Sequence, residues 1–297
     1  MKINPLLNEL ARGLWYMSFE GLQTWGPVAH KIMNGEKFTL NGGNAEAEPR
    51  SLVTYMSDSG SRIIPDAEET IPPGTIAVVD MIGAIIKYGD WCTYGADEIV
   101  GVLKANDANP NIIAQILNID GPGGAVSAVA PFVEFGLTKK KPVIGLVDLC
   151  CSAHLYAAVT CTDHIMASND ISATIGSIGV VLSWVENRKY LTDTFGYNFH
   201  EVYPAESADK NKAFSLAMEG KYDMIKNEML SPMAIKFQDT VKAHRPNLKA
   251  NEPGVLTGKT FSADKALGLG LIDSIGSMQQ AINLATMMSE MKSLYKS

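Results

Sequence analysis

The strongest constraint on the fold is a repeated alternation that starts at Thr75. Apolar runs rich in β-branched residues are each followed by a stretch with helical spacing. Ile76-Ala77-Val78-Val79 with Met81-Ile82 is the first run, Ile112 to Asp120 the second and Pro142 to Asp148 the third. Helical stretches at 96–105, 125–137 and 152–162 follow them, and His164 to Ala167 adds a short strand. Strands apolar on both faces and separated by helices predict stacked βαβ units around a mainly parallel sheet, an α/β class. Further on, the spacing predicts a strand at Phe199–Tyr203, a long helical stretch from Phe214 to about His244, a short helix, a Leu271–Asp273 strand and a last helix from Ser277.

The flanks read differently. Residues 1–45 form an opening segment in which Leu6, Leu7, Leu10, Leu14 and Trp15 recur at helical spacing, predicting an amphipathic helix. Residues 46–74 are polar, with many Gly, Pro, Ser and acidic positions, and read as a linker. The compact domain is expected at 75–285, with 286–297 as the end of a C-terminal helix.

At 297 residues the chain is long enough to bury a full core without staples. The 25 basic against 32 acidic residues give a net charge of −7, which disfavours nucleic acid and anionic membranes as partners. The cysteines Cys92, Cys150, Cys151 and Cys161 lack zinc-ligand spacing and read as free thiols. No signal peptide and no apolar run of spanning length is read, so the expectation is a soluble, cytoplasmic protein.

Chemistry concentrates where strands end. Asp120-Gly121-Pro122-Gly123-Gly124 closes the second strand, and such a turn lets backbone N–H groups approach a ligand. Cys150-Cys151-Ser152-Ala153-His154 closes the third and opens a helix, where free N–H groups favour an anion. In an open parallel sheet, ligands bind beyond the carboxyl ends of the strands. Taken alone, the first motif is a tight turn and Ser152 a helix N-cap. Two such turns on consecutive strands carry more weight. Ile175-Gly176-Ser177-Ile178-Gly179 and Ser207-Ala208-Asp209-Lys210-Asn211-Lys212 add a small-residue turn and two candidate bases.

These motifs, in this order, resemble the signal peptide peptidase A family of serine peptidases, including its phage branch of minor capsid protein C-type maturation proteases. The family's Asp-Ser-Pro-Gly-Gly is matched by Asp120 to Gly124. Its Ala-Ala-Ser-Gly-Gly-Tyr-Tyr is matched by Cys150 to Tyr156, and its Thr-Gly-Ser-Ile-Gly-Val by Ile175 to Val180. Gly258-Lys259-Thr260-Phe261-Ser262-Ala263, with Gly270-Leu271-Ile272-Asp273, is similar to its closing motif.

The resemblance implies the Clp protease/crotonase-like fold with helical N- and C-terminal extensions. It implies a Ser–Lys dyad with Ser152 as nucleophile and Lys210 as general base, Lys212 being the alternative. Ser177 would hold the lysine, and the N–H groups of Gly123 and Ala153 would form the oxyanion hole. No metal or organic cofactor is implied. The implied partners are peptides or proteins (scaffold, portal or capsid proteins in a phage), and the implied assembly is a homo-oligomeric ring. A lysine base must be largely neutral, so its pKa must fall by roughly 3 units, about 4 kcal/mol. An apolar cleft against Met166, Ile175 and Ile178 is the expected cause.

Two positions depart from the family pattern: Gly121 stands for Ser, and Ala153-His154 for Gly-Gly. His154 is expected to narrow the cleft. Competing readings are a Ser–His–Asp peptidase on the same fold, a crotonase-like acyl-CoA enzyme, a non-catalytic structural protein, a non-membrane cellular relative of the signal-peptide-degrading enzymes, and a Cys151 nucleophile.

Overall fold

A computed structural model describes residues 9, 12–17, 51–64, 71–89, 94–184 and 186–294. A short strand β1 (Leu14–Met17) precedes a hairpin of β2 (Val53–Met56) and β3 (Arg62–Ile63). The βαβ series then runs β4 (Thr75–Ile82), α1 (Ala96–Ala108), β5 (Ile112–Gly121), β6 (Gly123–Ala125), α2 (Ala130–Thr138), β7 (Val143–Cys151), α3 (Ala153–Cys161), β8 (His164–Ala167) and β9 (Thr174–Gly176). After β10 (Val181–Leu182) come α4 (Arg188–Phe195), α5 (Lys212–Met218), a π-helical turn at Ile225–Leu230 and α6 (Ser231–His244). The chain closes with β11 (Thr260–Ser262), α7 (Ala263–Leu269), β12 (Ser274–Ile275) and α8 (Met278–Leu294).

The main sheet has the order β11-β9-β7-β5-β4-β2-β3. Its centre is parallel: β4 with β5, β5 with β7, and β7 with both β8 and β9. The central strands are buried on both faces because helices cover both, which explains their unbroken apolar runs. On one face, Val79, Leu117, Ile119 and Val147 pack with Leu103 of α1, Phe132 and Phe135 of α2, and Leu155 of α3. On the other, Ile76, Val78, Ala114, Ile116 and Ile144 pack against Ala281, Ile282 and Ala285 of α8. Helix α8 runs through residue 286 without a break, so the sheet-covering helix and the expected C-terminal end are one element.

Several expectations change. Leu14 and Trp15 lie in a strand, not a helix. The Leu-Trp-Tyr-Met run buries side chains on both sides: Trp15 and Met17 meet Ile86 and Ala125, while Tyr16 joins the main core. Leu6, Leu7 and Leu10 of the predicted stripe lie outside the described residues. Within the stretch read as a linker, β2 pairs antiparallel with β4 and extends the sheet. Its polarity belongs to the turn, where Ser57, Ser59 and Ser61 hydrogen-bond one another.

Phe199–Tyr203 is exposed and not a strand, because alternation alone supplies no pairing partner. The predicted long helix breaks after Met218, with Gly220 at φ 78°, where a residue without Cβ fits. The predicted Leu271–Asp273 strand forms one step later, as β12 on β8.

Candidate active site

Sheet order brings the three motifs together. Strands β5, β7 and β9 are consecutive neighbours, with Gly121 paired to Cys150 and Cys151 paired to Gly176. Ser152, the next residue, therefore sits between the ends of all three. Its backbone is at φ 57°, ψ −113°, outside the regions open to most L-residues, at a cost of about 1–3 kcal/mol. Its N–H donates to the Gly176 carbonyl at 2.9 Å, and its Oγ lies 3.5 Å from the Gly179 carbonyl. Ser152 is only 1% exposed. Ser177 is also left-handed, at φ 58°, and its N–H donates to the Lys259 carbonyl at 2.8 Å. Of the three described non-glycine residues with positive φ, Ser152 and Ser177 lie in the candidate site, and the third, Asn211, follows Lys210.

The glycine turn is shaped by close approach. Gly123 has φ 114°, and a Cβ there would lie 2.1 Å from the Tyr16 carbonyl oxygen. A Cβ on Gly124 would lie 2.0 Å from the Ile85 carbonyl oxygen. Ala153 opens α3, where first-turn N–H groups lack intrahelical acceptors. Gly123 N–H is engaged differently: it donates to His154 Nδ1 at 3.0 Å. His154 is fully buried, and burial pushes its pKa down to about 3. The ring stays neutral at ordinary pH and accepts through Nδ1, so its proton resides on Nε2.

The two departures from the family pattern turn out to be one feature. A Cβ at Gly121 would lie 2.4 Å from His154 Nε2. The imidazole occupies the space that a Gly121 side chain would need. Gly121→Ser is therefore expected to cost about 1–3 kcal/mol by overpacking. Adding His154→Gly should recover part of that cost. The remainder reflects the Gly83 carbonyl, also 2.4 Å from the same Cβ position. Urea unfolding of both single variants and the double variant measures the coupling, and strictly additive effects would refute it.

His154 also predicts a pH signature. Its folded pKa of about 3 lies below the 6.5 of the unfolded chain. Between those values the unfolded state binds the extra proton, so stability falls as pH falls from 6.5 toward 3. Relative to His154→Asn, which keeps an acceptor for Gly123, wild type should lose on the order of a few kcal/mol across that window. Parallel curves for the two proteins would disprove it.

Both candidate lysines lie on the exposed surface. Lys210 is exposed and has no side-chain hydrogen bond or ion pair among the described residues. The residues expected to line its cleft do not share one core: Ile175 and Ile178 pack on one face of the sheet, and Met166 on the other with α8. Lys212 pairs with Asp209 at 2.9 Å, and that hydrogen bond and charge hold its pKa up. Asp209 thus faces Lys212 rather than its sequence neighbour Lys210.

The other candidates for the chemistry are engaged elsewhere. His164 Nε2 meets Ser274 Oγ at 2.7 Å, and Asp163 pairs with Lys139. Cys151 is buried, with its sulfur 3.8 Å from the Thr174 carbonyl. Cys150 and Cys161 are buried too, and burial raises both thiol pKa values. Among the described residues there is no cluster of metal-ligating side chains, and no helix is long and apolar enough to cross a membrane.

Sequence comparison decides the family. The profile of Peptidase family S49 matches residues 136–292, more than half of the chain. The chain belongs to Peptidase family S49. This is the signal peptide peptidase A family indicated by the motifs, and Ser152, Ser177, Lys210 and Lys212 all fall inside the match. Among curated relatives, the head-tail preconnector protein GP5 of Enterobacteria phage P21 is 25% identical over 216 residues, covering 71% of this chain and 41% of that protein. Protease 4 of Haemophilus influenzae is 29% identical over 219 residues, covering 72% of this chain and 34% of that protein. The chain thus spans well under half the length of either relative. A solved stomatin-specific protease, in complex with a substrate peptide, superposes with a TM-score of 0.41 at 19% identity, covering 67% of this chain and 74% of its own. Superposition that loose adds nothing to the family assignment.

Sequence reasoning missed Tyr16. It also read Gly121 and His154 as two substitutions rather than one. Their joint departure from the family pattern was the available signal.

Proposed function

We propose that this S49 chain is a serine endopeptidase of the Ser–Lys type. Ser152 Oγ attacks the peptide carbonyl and passes its proton to Lys210. The resulting oxyanion is held by the N–H groups of Ala153 and Gly123, the latter once His154 releases it. Collapse expels the amine, which takes the proton back from the lysine, and water then hydrolyses the acyl-enzyme. Ser177 positions the lysine. The observation that carries this reading is the strained, left-handed Ser152 at the meeting point of three strand ends.

Lys210 suits the role of base better than Lys212, which Asp209 holds in its charged form. A lysine in water keeps its proton at neutral pH, so Lys210 must be carried into a dry site. Assembly supplies a route. Tyr190, Phe195, Tyr197 and Phe199 form an exposed row of ring contacts on the segment before Lys210. Covering this row with a second copy would desolvate the adjoining loop, in keeping with a homo-oligomer.

The substrates proposed are scaffold, portal or capsid proteins of a phage, acted on in the host cytoplasm or the prohead. The likeness to the phage P21 protein supports this. A fluorophosphonate label tests the chemistry. Stoichiometric modification of Ser152 is expected, and a folded protein that resists the label under conditions permitting assembly would overturn the reading.

A further inference from the structure

The N-terminal strand β1 lies beside the nucleophile, inserted between two short strands that flank Ser152. It pairs antiparallel with β6 on one side, with Trp15 opposite Ala125, Tyr16 opposite Gly124 and Met17 opposite Gly123. On the other side it pairs antiparallel with β10, with Leu14 opposite Leu182 and Trp15 opposite Val181. β6 begins at the candidate oxyanion glycine, and β10 begins two residues after Gly179, whose carbonyl is 3.5 Å from Ser152 Oγ. Running from Leu14 to Met17, the strand heads toward Gly123.

Side chains anchor it. Tyr16 enters an aromatic pocket, its ring 5.9 Å from Tyr156 and 5.1 Å from Phe237, and its hydroxyl donates to the Met233 carbonyl at 3.2 Å. Tyr156 stands on α3, the helix that Ser152 begins. The pocket is thus built on the nucleophile's own helix.

We infer that β1 is an intramolecular occupant of the groove in which substrate binds, and that the groove selects an extended segment carrying a bulky aromatic residue at the Tyr16 position. The inference rests on the serine-peptidase reading above. A tethered strand acts at an effective concentration of order millimolar, so it holds the groove against dilute substrate until it is displaced. The groove then opens when another polypeptide, or a change at the N-terminal arm, removes β1.

The full-length chain is used throughout. Tyr16→Ala should raise the rate of fluorophosphonate labelling about tenfold or more by vacating the groove. In a Ser152→Ala background, Tyr16→Ala should bind a fluorescent peptide of residues 12–20 about tenfold more tightly or better, and replacing the peptide's tyrosine by alanine should remove that gain. A second variant pair, Trp15→Cys with Val181→Cys, joins two directly opposed positions. Oxidised, it should label at least about tenfold more slowly than after reduction.

Folded Tyr16→Ala protein that labels no faster and binds the peptide no better, with a cross-link that changes nothing, would overturn the inference. A protein that never labels, yet gains the peptide on Tyr16→Ala, would remove the serine-peptidase reading and leave strand occupancy standing.

Discussion

Ser152→Ala is expected to reduce peptide-bond hydrolysis by several orders of magnitude while the protein stays folded. The loss follows from removing the attacking oxygen, since backbone donors and binding groups alone retain only a small residual rate enhancement. Stability should barely change, because among the described residues the one hydrogen bond of Oγ is at the 3.5 Å limit, to the Gly179 carbonyl. Ser152→Gly sharpens the test. At φ 57° a glycine relieves strain that serine and alanine both bear, so this variant should match or exceed wild type in urea unfolding, by up to about 1 kcal/mol, and be equally inactive. That combination of greater stability and lost activity is what a strained nucleophile predicts and a mere helix cap does not. Near-wild-type turnover of a protein substrate by folded Ser152→Ala would dismiss Ser152 as the nucleophile.

Lys210→Ala should be about as inactive as Ser152→Ala, and Lys212→Ala should be mild. Lys212 is tied to Asp209 on the surface, and an exposed pair of this kind contributes little. In wild type, kcat/KM should rise with pH as the base loses its proton. Desolvation penalises the ammonium form, so the midpoint should lie below the ~10.4 of a free lysine and above the ~6.5 of an unperturbed histidine. The same limb should survive in His164→Ala and His200→Ala. His154 cannot supply a limb near neutrality, because burial has already moved its titration to about 3. A limb near 6.5 that disappears in one histidine variant would replace the lysine with a histidine base. Equal, small effects of Lys210→Ala and Lys212→Ala would exclude both lysines.

The α/β architecture was legible because the signal is local and redundant. Thr75–Ile82, Ile112–Gly121 and Val143–Cys151 are mainly apolar on both faces, and a parallel sheet covered by helices on both sides buries both. The placement of Ser152 and Gly123 at neighbouring strand ends was legible as well, since the glycine turn and the serine each close an apolar run. Where structure departed from expectation, pairing or packing at long range made the difference. Leu14 and Trp15 fit the helical spacing of the opening segment, yet lie in the strand Leu14–Met17, which pairs with β6 on one side and β10 on the other.

The central parallel sheet, the order of its motifs and the serine at the end of β7 follow from residues adjacent in the chain. The surroundings of that serine come from long-range contacts. That the His154 ring and the Gly83 carbonyl fill the space beside Gly121, that Lys212 rather than Lys210 meets Asp209, and that Tyr16 packs with Tyr156 and Phe237 are contacts across turns and across the fold. Periodicity cannot encode them. They are set by which strand ends the sheet order makes neighbours, and by side chains competing for the same few cubic ångströms beside the nucleophile.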